Sequence, residues 1–398
     1  MVTKADQPAA PRPARGTRPA NRRSLVLAAA ADLFYRKGYA QVSMKEIAEA
    51  VGVGASALYR HFPSKQDLLH AVVGDALGVV DALLGRLLAD PTVDLTAEVA
   101  RTMLEHRAIG ILWHAEARHL SDDARTQLRE QLRGIGSRLA ELIRHQRRSV
   151  EDATADLLAW CVLAVTTSVS FHSVELPTDV FVRLMAEMAK AAMEVRVPRL
   201  RRVSAPTAAT DEPWSPSRRE AILNAATKLF ARNGFANVGI EDIGASVGIA
   251  GPSVYNHFAA KEDILASAII RGRELLYADL RRQLSRAGNP RDALERLLSG
   301  YAEFVFESPE SIQLLISETG YLSADEQHRT RAAQYEYIAE WVGLLRQLTP
   351  TRDPDECRVR VQAALGIVND VAATPHLRAF GNVDKAAIAV SGAVLGLA

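Results

Sequence analysis

Apolar residues recur every three to four positions through most of this chain, and no stretch keeps the strict alternation of a half-buried strand. That pattern predicts an all-α protein. One amphipathic run over Ser24–Lys37 stops at Gly38, and another over Arg219–Asn233 stops at Gly234. A glycine just past the last apolar position is a common helix stop. Ser43, with Glu46 three positions on, has the form of a capping box opening a second helix. Val51, Gly52, Val53 and Gly54 then form a turn, and a short helix follows to His61. Ser64 is placed to cap a longer helix carrying Leu68, Leu69, Val72, Val73 and Ala76 at helical spacing. Later helical patterns break at Pro91, Pro177, Pro290, Pro309 and Pro354.

The opening pattern occurs twice. Shifted by 196 residues, Arg22–Leu69 overlays Arg218–Leu265 without a gap and with 20 identities in 48 positions. The matches include Phe34/Phe230, Gly38/Gly234, Ile47/Ile243, Gly52/Gly248, Tyr59/Tyr255, His61/His257, Phe62/Phe258 and Lys65/Lys261. Two units are too few for a solenoid, so a duplicated domain is expected. The stretch RLRRVSAPTAATDEPWSP from Arg199 to Pro216 has linker composition. The expected domains are a basic tail over 1–21, a first head over 22–69, a first helical domain over 70–197, a linker over 198–217, a second head over 218–265 and a second helical domain over 266–398.

Composition and charge bear on this picture in four ways. A hydrophobic content of 48% and a charged content of 24% fit an ordinary globular protein. Cys161 and Cys357 stand far apart, which speaks against a disulfide framework or a zinc site and for a reducing, cytoplasmic setting. The twin-arginine look of Arg22 and Arg23 is discounted, because the same pattern returns at Arg218 and Arg219, and no run of about 20 apolar residues suggests a membrane span. Net charge is only +1, yet residues 1–65 hold eleven Lys/Arg against four Asp/Glu, while residues 211–261 hold five of each. A local net of +7 is an electrostatic footprint for nucleic acid.

A helix, a tight glycine turn and a helix make a helix-turn-helix, in which the first helix braces the second in the major groove. Ile47, Ala48, Val51, Leu58 and Phe62 are the expected contacts between them, with Ala48, and Gly244 in the second copy, small because the helices cross closely. The outer face of the second helix carries Ser56, Ala57, Tyr59, Arg60 and His61, groups suited to phosphate and base-edge contacts. Core packing is the alternative for the tyrosines and histidines. Arg12, Arg15, Arg18, Arg22 and Arg23 are either a solvated tail or an arm that follows the DNA.

Both repeats resemble the DNA-binding head of the TetR family of bacterial transcriptional regulators. The resemblance rests on the opening helix, on Tyr59-Arg60-His61-Phe62 with Lys65 and Asp67-Leu68-Leu69, and on Tyr255-Asn256-His257-Phe258 with Lys261 and Asp263-Ile264-Leu265. It covers about a quarter of the chain, and each half has the length of a whole subunit of that family. The layout is similar to the tandem TetR repressors of mycobacteria and relatives that control lipid-import and sterol-degradation operons, and Ile111–Ser121 resembles that group as well. The resemblance implies phosphate contacts from Ser43, Tyr59 and Lys65, and in the second head from the positions of Gly239, Tyr255 and Lys261. Lys45, Ser56, Ala57, Arg60 and His61, and in the second head Ser253, Asn256 and His257, are the further candidate DNA-facing residues. Gly239 lacks the hydroxyl of Ser43, and Glu241 and Asp242 add negative charge, which weakens the expected grip there.

The resemblance also implies a helical effector domain in each half with a mostly apolar pocket for a small apolar effector, such as a fatty acyl or sterol-derived thioester. Trp113, His114, Glu116 and Trp160 are candidate lining in the first half, and Phe304, Glu318 and Trp341 in the second. Glu116 and Glu318 fall at matching places when Leu120-Ser121 is aligned with Leu322-Ser323, which a helix cap or salt bridge would explain equally well. No Gly-rich phosphate loop, paired-histidine metal motif or nucleophile set is present, so neither catalysis, a metal nor a cofactor is expected. A helical interaction protein with a degenerate second head is the competing reading. Helix pairs near Ala153–Val174 and Asp179–Val195, and near Asp355–Ala373 and Lys385–Leu397, are expected to pack together within one chain, a monomer imitating the family's dimer on a two-part DNA operator.

Overall fold

A computed structural model describes residues 22–90, 92–203 and 217–397. The expected tail over 1–21 and most of the expected linker, residues 204–216, lie outside the described residues. The chain forms two compact units. One gathers residues up to Leu142 with Thr166–Ser173, and the other gathers Ile143–Val165 with Val174 onward.

In the first unit, α1 (Arg22–Lys37) buries Val26, Leu27, Ala30 and Phe34, a single stripe at helical spacing. Gly38 ends it at φ 82°, and a 3-10 turn, Tyr39–Gln41, follows. α2 (Met44–Ala50) starts at Ser43, whose hydroxyl accepts from the Glu46 N–H at 3.2 Å. The expected reciprocal bond is absent, because the Glu46 carboxylate pairs with Lys37 instead. α3 (Ala55–His61) precedes α4 (Lys65–Ala89), which Ser64 caps through the Asp67 N–H. Asp94 caps α5 (Leu95–Glu105). α6 (Ile109–Ile111) widens into a π turn over Leu112–Glu116 and closes with a 3-10 turn, Ala117–His119, before α7 (Asp122–Gln146).

α8 (Asp152–Thr167), most of which belongs to the second unit, is followed there by α9 (Thr178–Glu194). The second repeat supplies α10 (Arg218–Asn233), α11 (Ile240–Ser246), α12 (Lys261–Leu284), α13 (Pro290–Glu307), α14 (Pro309–Ser317), α15 (Ala324–Leu348), α16 (Pro354–Ala373), α17 (Pro375–Arg378) and α18 (Val383–Leu395). The core of this unit runs along α16, where Val361, Leu365 and Val368 are buried, and along α18, where Val390 and Val394 are buried. Of the positions expected to be apolar contacts, Ile388 and Trp160 are only half-buried.

Helices from the first half of the sequence pack into this unit. α9 buries Leu184, Met185, Met188 and Ala192 and lies against α18. The Arg360 guanidinium on α16, almost wholly buried, donates to Glu187 on α9 at 2.6 Å and to the Val394 carbonyl on α18 at 2.9 Å. On α8, Trp160 meets His376 edge-on at 5.4 Å, and the same imidazole sits 3.0 Å from Asp156. Gly366 brings α16 close to the Ala164 carbonyl of α8.

Among the described residues the fold is all-α as expected, apart from one two-residue ladder. Arg201–Arg202 (β1), at the start of the expected linker, pairs antiparallel with Phe380–Gly381 (β2). Two residues are too few to leave an alternating signature in the sequence. The expectation that no stretch is apolar enough to span a membrane is corrected: Lys65–Ala89 and Asp152–Phe171 are long and apolar enough by length and composition. Both turn much of that surface inward, 72% of the second segment's apolar window being buried, and α4 carries Asp81 in an ion pair with Arg138.

Candidate functional site

The first head is built around the turn between α2 and α3. Gly52 takes φ 67°, and the Val53 N–H donates to the Ala48 carbonyl at 2.9 Å, which holds the two helices at a fixed angle. Ile47, Ala48, Leu58 and Phe62 fill the space between them. Burying Leu58 and Phe62 turns Ser56, Tyr59, Arg60 and His61 outward, with Ala57 half-buried beside them. Tyr59 is 50% exposed, so it is not a core aromatic. Ser43 and Lys45 are exposed at the start of α2, and Lys45 lies 3.8 Å from Glu49.

The second head repeats the plan with a different second helix. Gly251–Asn256 is a 3-10 helix with Pro252 in its first turn, not the α-helix formed by Ala55–His61. It sits unusually close to α11. A Cβ on Gly244 would lie 2.8 Å from the Ile249 carbonyl oxygen and 2.9 Å from the Gly251 nitrogen, and a Cβ on Gly251 would press on Glu241. Tyr255 is 53% exposed and Asn256 is exposed, while Ser253 and His257 are half-buried. A 3-10 helix winds three residues per turn and rises about 2 Å per residue, so these side chains fan out differently from Tyr59 and Arg60. Where Ser43 caps α2, the main-chain N–H of Gly239 donates to Asp242 at 2.8 Å. Each head therefore makes one half of the capping box.

Behind each head lies a second cluster. Gly38 and Gly234 share positive φ, 82° and 78°, a backbone region that essentially only glycine enters when ψ is extended. The N–H that follows, on Tyr39 or Phe235, donates to a buried carboxylate, Glu116 at 3.0 Å or Glu318 at 3.2 Å. Lys65 stands 4.1 Å from the centre of the Tyr39 ring, and Lys261 stands 4.2 Å from that of Phe235. Lys261 also donates to the Phe235 and Val238 carbonyls. His119 stacks on Tyr39 at 4.9 Å, and Tyr321 meets Phe235 at 5.1 Å. Burial raises the Glu116 carboxyl above the usual range, opposed by the Tyr39 N–H and by the charges of Arg118 and Lys65. Burial, with Arg118, Lys65 and Arg125 nearby, pushes the His119 imidazole down to about 4.

The remaining candidate effector residues do not converge on one place. Trp113 and His114 are half-buried, and His114 meets Phe171 edge-on at 5.8 Å. Trp160 is on α8 against His376, among the helices that join the two sequence halves. In the second half Phe304 is half-buried on α13, and Trp341 is fully buried beside Tyr301 and Tyr337, each 6.3 Å away. On the same helix as Trp341, Thr330 is fully buried with its hydroxyl unpartnered. Sequence reasoning passed over Tyr39, Phe235 and Tyr321, and weighed His119 only as pocket lining. The signal for Tyr39 and Phe235 was the aromatic after each helix-ending glycine.

Residues 26–72 and 222–268 each match the domain described as bacterial regulatory proteins, tetR family. The chain is 28% identical over 149 residues to the HTH-type transcriptional repressor KstR2 of Rhodococcus jostii, spanning 35% of this chain and 69% of that protein. It is 32% identical over 115 residues to the repressor of the same name from Mycolicibacterium smegmatis, spanning 27% of this chain and 55% of that one. Among solved structures, the ketosteroid transcriptional regulator KstR2 of Mycobacterium tuberculosis is similar at 22% identity with a TM-score of 0.39, covering 46% of this chain and 95% of that chain.

Proposed function

From a chain that carries the bacterial tetR-family DNA-binding domain twice, we propose a sequence-specific transcription regulator that acts as a repressor, released by a small apolar effector and reading an operator of two unlike half-sites. The observation that carries the reading is the outward Ser56-Tyr59-Arg60-His61 face of α3, on a head whose flanking sequence is strongly basic. Tyr59, Ser43, Lys45 and Lys65 are assigned to phosphates, and Ser56, Ala57, Arg60 and His61 to the groove. In the second head Tyr255, Asn256, Ser253, His257 and Lys261 take the corresponding parts with less affinity, since Glu241 and Asp242 stand at its entrance.

Packing of α9 with α16 and α18, and of α8 with α16 and α17, supports a single chain that imitates a dimer. Covalent joining keeps each half at high effective concentration for the other, so no second chain is required. Two heads that differ at Arg60/Asn256 and in helix type would select different half-sites, which in symmetric dimers are identical and about one helical turn apart. The fatty acyl or sterol-derived thioester stays the proposed effector class, supported by the apolar character of both helical domains and by the sequence likeness to the KstR2 repressors. By linkage, an effector that weakens DNA binding is itself bound more weakly on DNA, by the same factor.

Selection of duplexes from a random-sequence pool, followed by footprinting on the preferred one, tests this. Two adjacent, non-identical protected segments in fixed order are expected. A perfect palindrome as the preferred site, or no selection above background, would overturn it.

A further inference from the structure

We propose that Glu116 and Glu318 are positioning residues for DNA reading, each clasping its head to the helical domain behind it through the main-chain N–H after Gly38 or Gly234. The inference rests on the two-headed reading above. The same arrangement occurs twice although the segments delivering it differ. Tyr39 and Phe235 are 196 residues apart, whereas Glu116 and Glu318 are 202 apart, so the intervening stretches differ in length. Glu116 arrives at the end of a π turn, and Glu318 arrives as the C-cap of the ordinary α-helix α14. Both carboxylates nonetheless reach the same backbone atom of the head, at 3.0 and 3.2 Å.

The rest of the clasp repeats at the same offsets. His119 and Tyr321, also 202 apart, cover the turn aromatic, and Lys65 and Lys261 approach its ring. Glu116 is 7% exposed and Glu318 fully buried. A buried carboxylate costs several kcal/mol unless it is hydrogen-bonded and charge-compensated. The domain-side partner of that bond is a buried carboxyl group, and the head-side partner is a backbone amide that positive-φ glycine turns toward it. Packing alone needs neither. α1, α2 and α3 move with the Gly38–Gln41 turn, so fixing this N–H fixes the angle at which α3 is presented.

The test uses the full chain, the duplex it selects from a random pool, and versions of that duplex with one half-site scrambled. A glutamine amide oxygen still accepts the Tyr39 N–H, whereas an aspartate is one methylene too short. Glu116→Asp and Glu116→Ala should weaken binding to the two-part duplex about tenfold or more, the equivalent of one lost charge-assisted hydrogen bond. Glu116→Gln should stay within about threefold of wild type by the same arithmetic. All three should bind the duplex retaining the first head's half-site as wild type does, because a lone head needs no fixed presentation. Hydrogen exchange at the Tyr39 amide should speed up in the Asp variant and not in the Gln variant.

Wild-type affinity for the two-part duplex by Glu116→Asp, or equal weakening by Asp and Gln, overturns the proposal. If Glu116→Ala does not fold, the Asp and Gln pair decides. Wild-type chain that binds whole and scrambled duplexes equally would sink the two-headed reading instead, and exchange at Tyr39 would still report on the clasp.

Discussion

Two residues in the first clasp make local claims that can be measured. Gly38 sits at φ 82°, and an alanine there is strained even though its Cβ has room, the nearest atom being a Glu116 carboxylate oxygen 3.7 Å away. Gly38→Ala should cost about 1–3 kcal/mol in urea unfolding, from backbone strain alone. His119 makes a pH claim. Its pKa is about 4 in the folded chain against the ordinary 6.5, so between those values the unfolded chain binds more protons. Its stabilising effect is complete above about pH 6.5 and is lost as pH falls toward 4, to a limit on the order of 3 kcal/mol. Glu116 runs the other way: its raised pKa favours the folded state as pH drops toward the carboxylate range. Thermal melts from pH 7 to 5 should therefore fall because of His119. His119→Phe, which keeps a ring on Tyr39, should flatten that slope, and an unchanged slope would refute the assignment. At this scale the sequence was partly informative. The spacing of Glu116 and Glu318 stood out, but an arginine-flanked histidine and a tyrosine do not look alike until the fold puts them on equivalent rings.

Among the elements, the two helix-ending glycines and the helices α9, α16 and α18 could be read within a residue or two from periodicity and caps, whereas the expected helix Ala153–Val174 ends at Thr167 and passes into a 3-10 turn over Ser168–Phe171. What could not be read was how tightly the second reading element seats. Gly244 and Gly251 appear in sequence as permissive residues, whereas in the fold they bring two backbones together and the segment winds as a 3-10 helix. Ala48 and Gly244 occupy the same place, yet exchange should be one-sided. Gly244→Ala forces a Cβ against backbone and should destabilise the second head by about 1–3 kcal/mol, the usual range for overpacking. Ala48→Gly should cost about 1 kcal/mol, the helix propensity difference. Denaturation followed by hydrogen exchange over residues 240–258 and 44–62 separates the two. For DNA, a Tyr59→Phe, Lys65→Ala double variant should bind all duplexes more weakly, with a shallower dependence of log K on log salt, because phosphate contacts release counterions and read no bases. Wild-type affinity in that variant would remove both residues from the interface.

Across the molecule, the division into units does not follow the repeat. Periodicity assigns α8 and α9 to the first half, but the segments Ile143–Val165 and Val174 onward fold with the second. Helices with two apolar faces carry no label saying which partner covers each face, so a boundary of this kind is invisible in one sequence. Arg360 is the clearest case: a charged residue in an apolar run reads as an exposed position, yet it is buried, with its two terminal nitrogens donating to the Val394 carbonyl and Glu187. Light scattering should give a mass near the 43.3 kDa of one chain at all concentrations tested. An obligate two-chain particle joined through these helices would contradict the single-chain reading.

The Arg360–Glu187 contact between α16 and α9 has a consequence for dosage. A regulator assembled from two separate subunits loses operator occupancy with the square of its concentration once it dilutes below its dimerisation constant, and it can be poisoned by a defective partner or diverted into mixed pairs with related proteins. On the proposed single-chain reading, the bundle is closed inside one polypeptide and has no such constant. Occupancy should follow a simple hyperbola in protein concentration down to the lowest level at which DNA is bound. Co-expression of a variant with both reading faces erased should leave the wild-type isotherm and its cellular output unchanged, so that on this reading such loss-of-function alleles would be recessive.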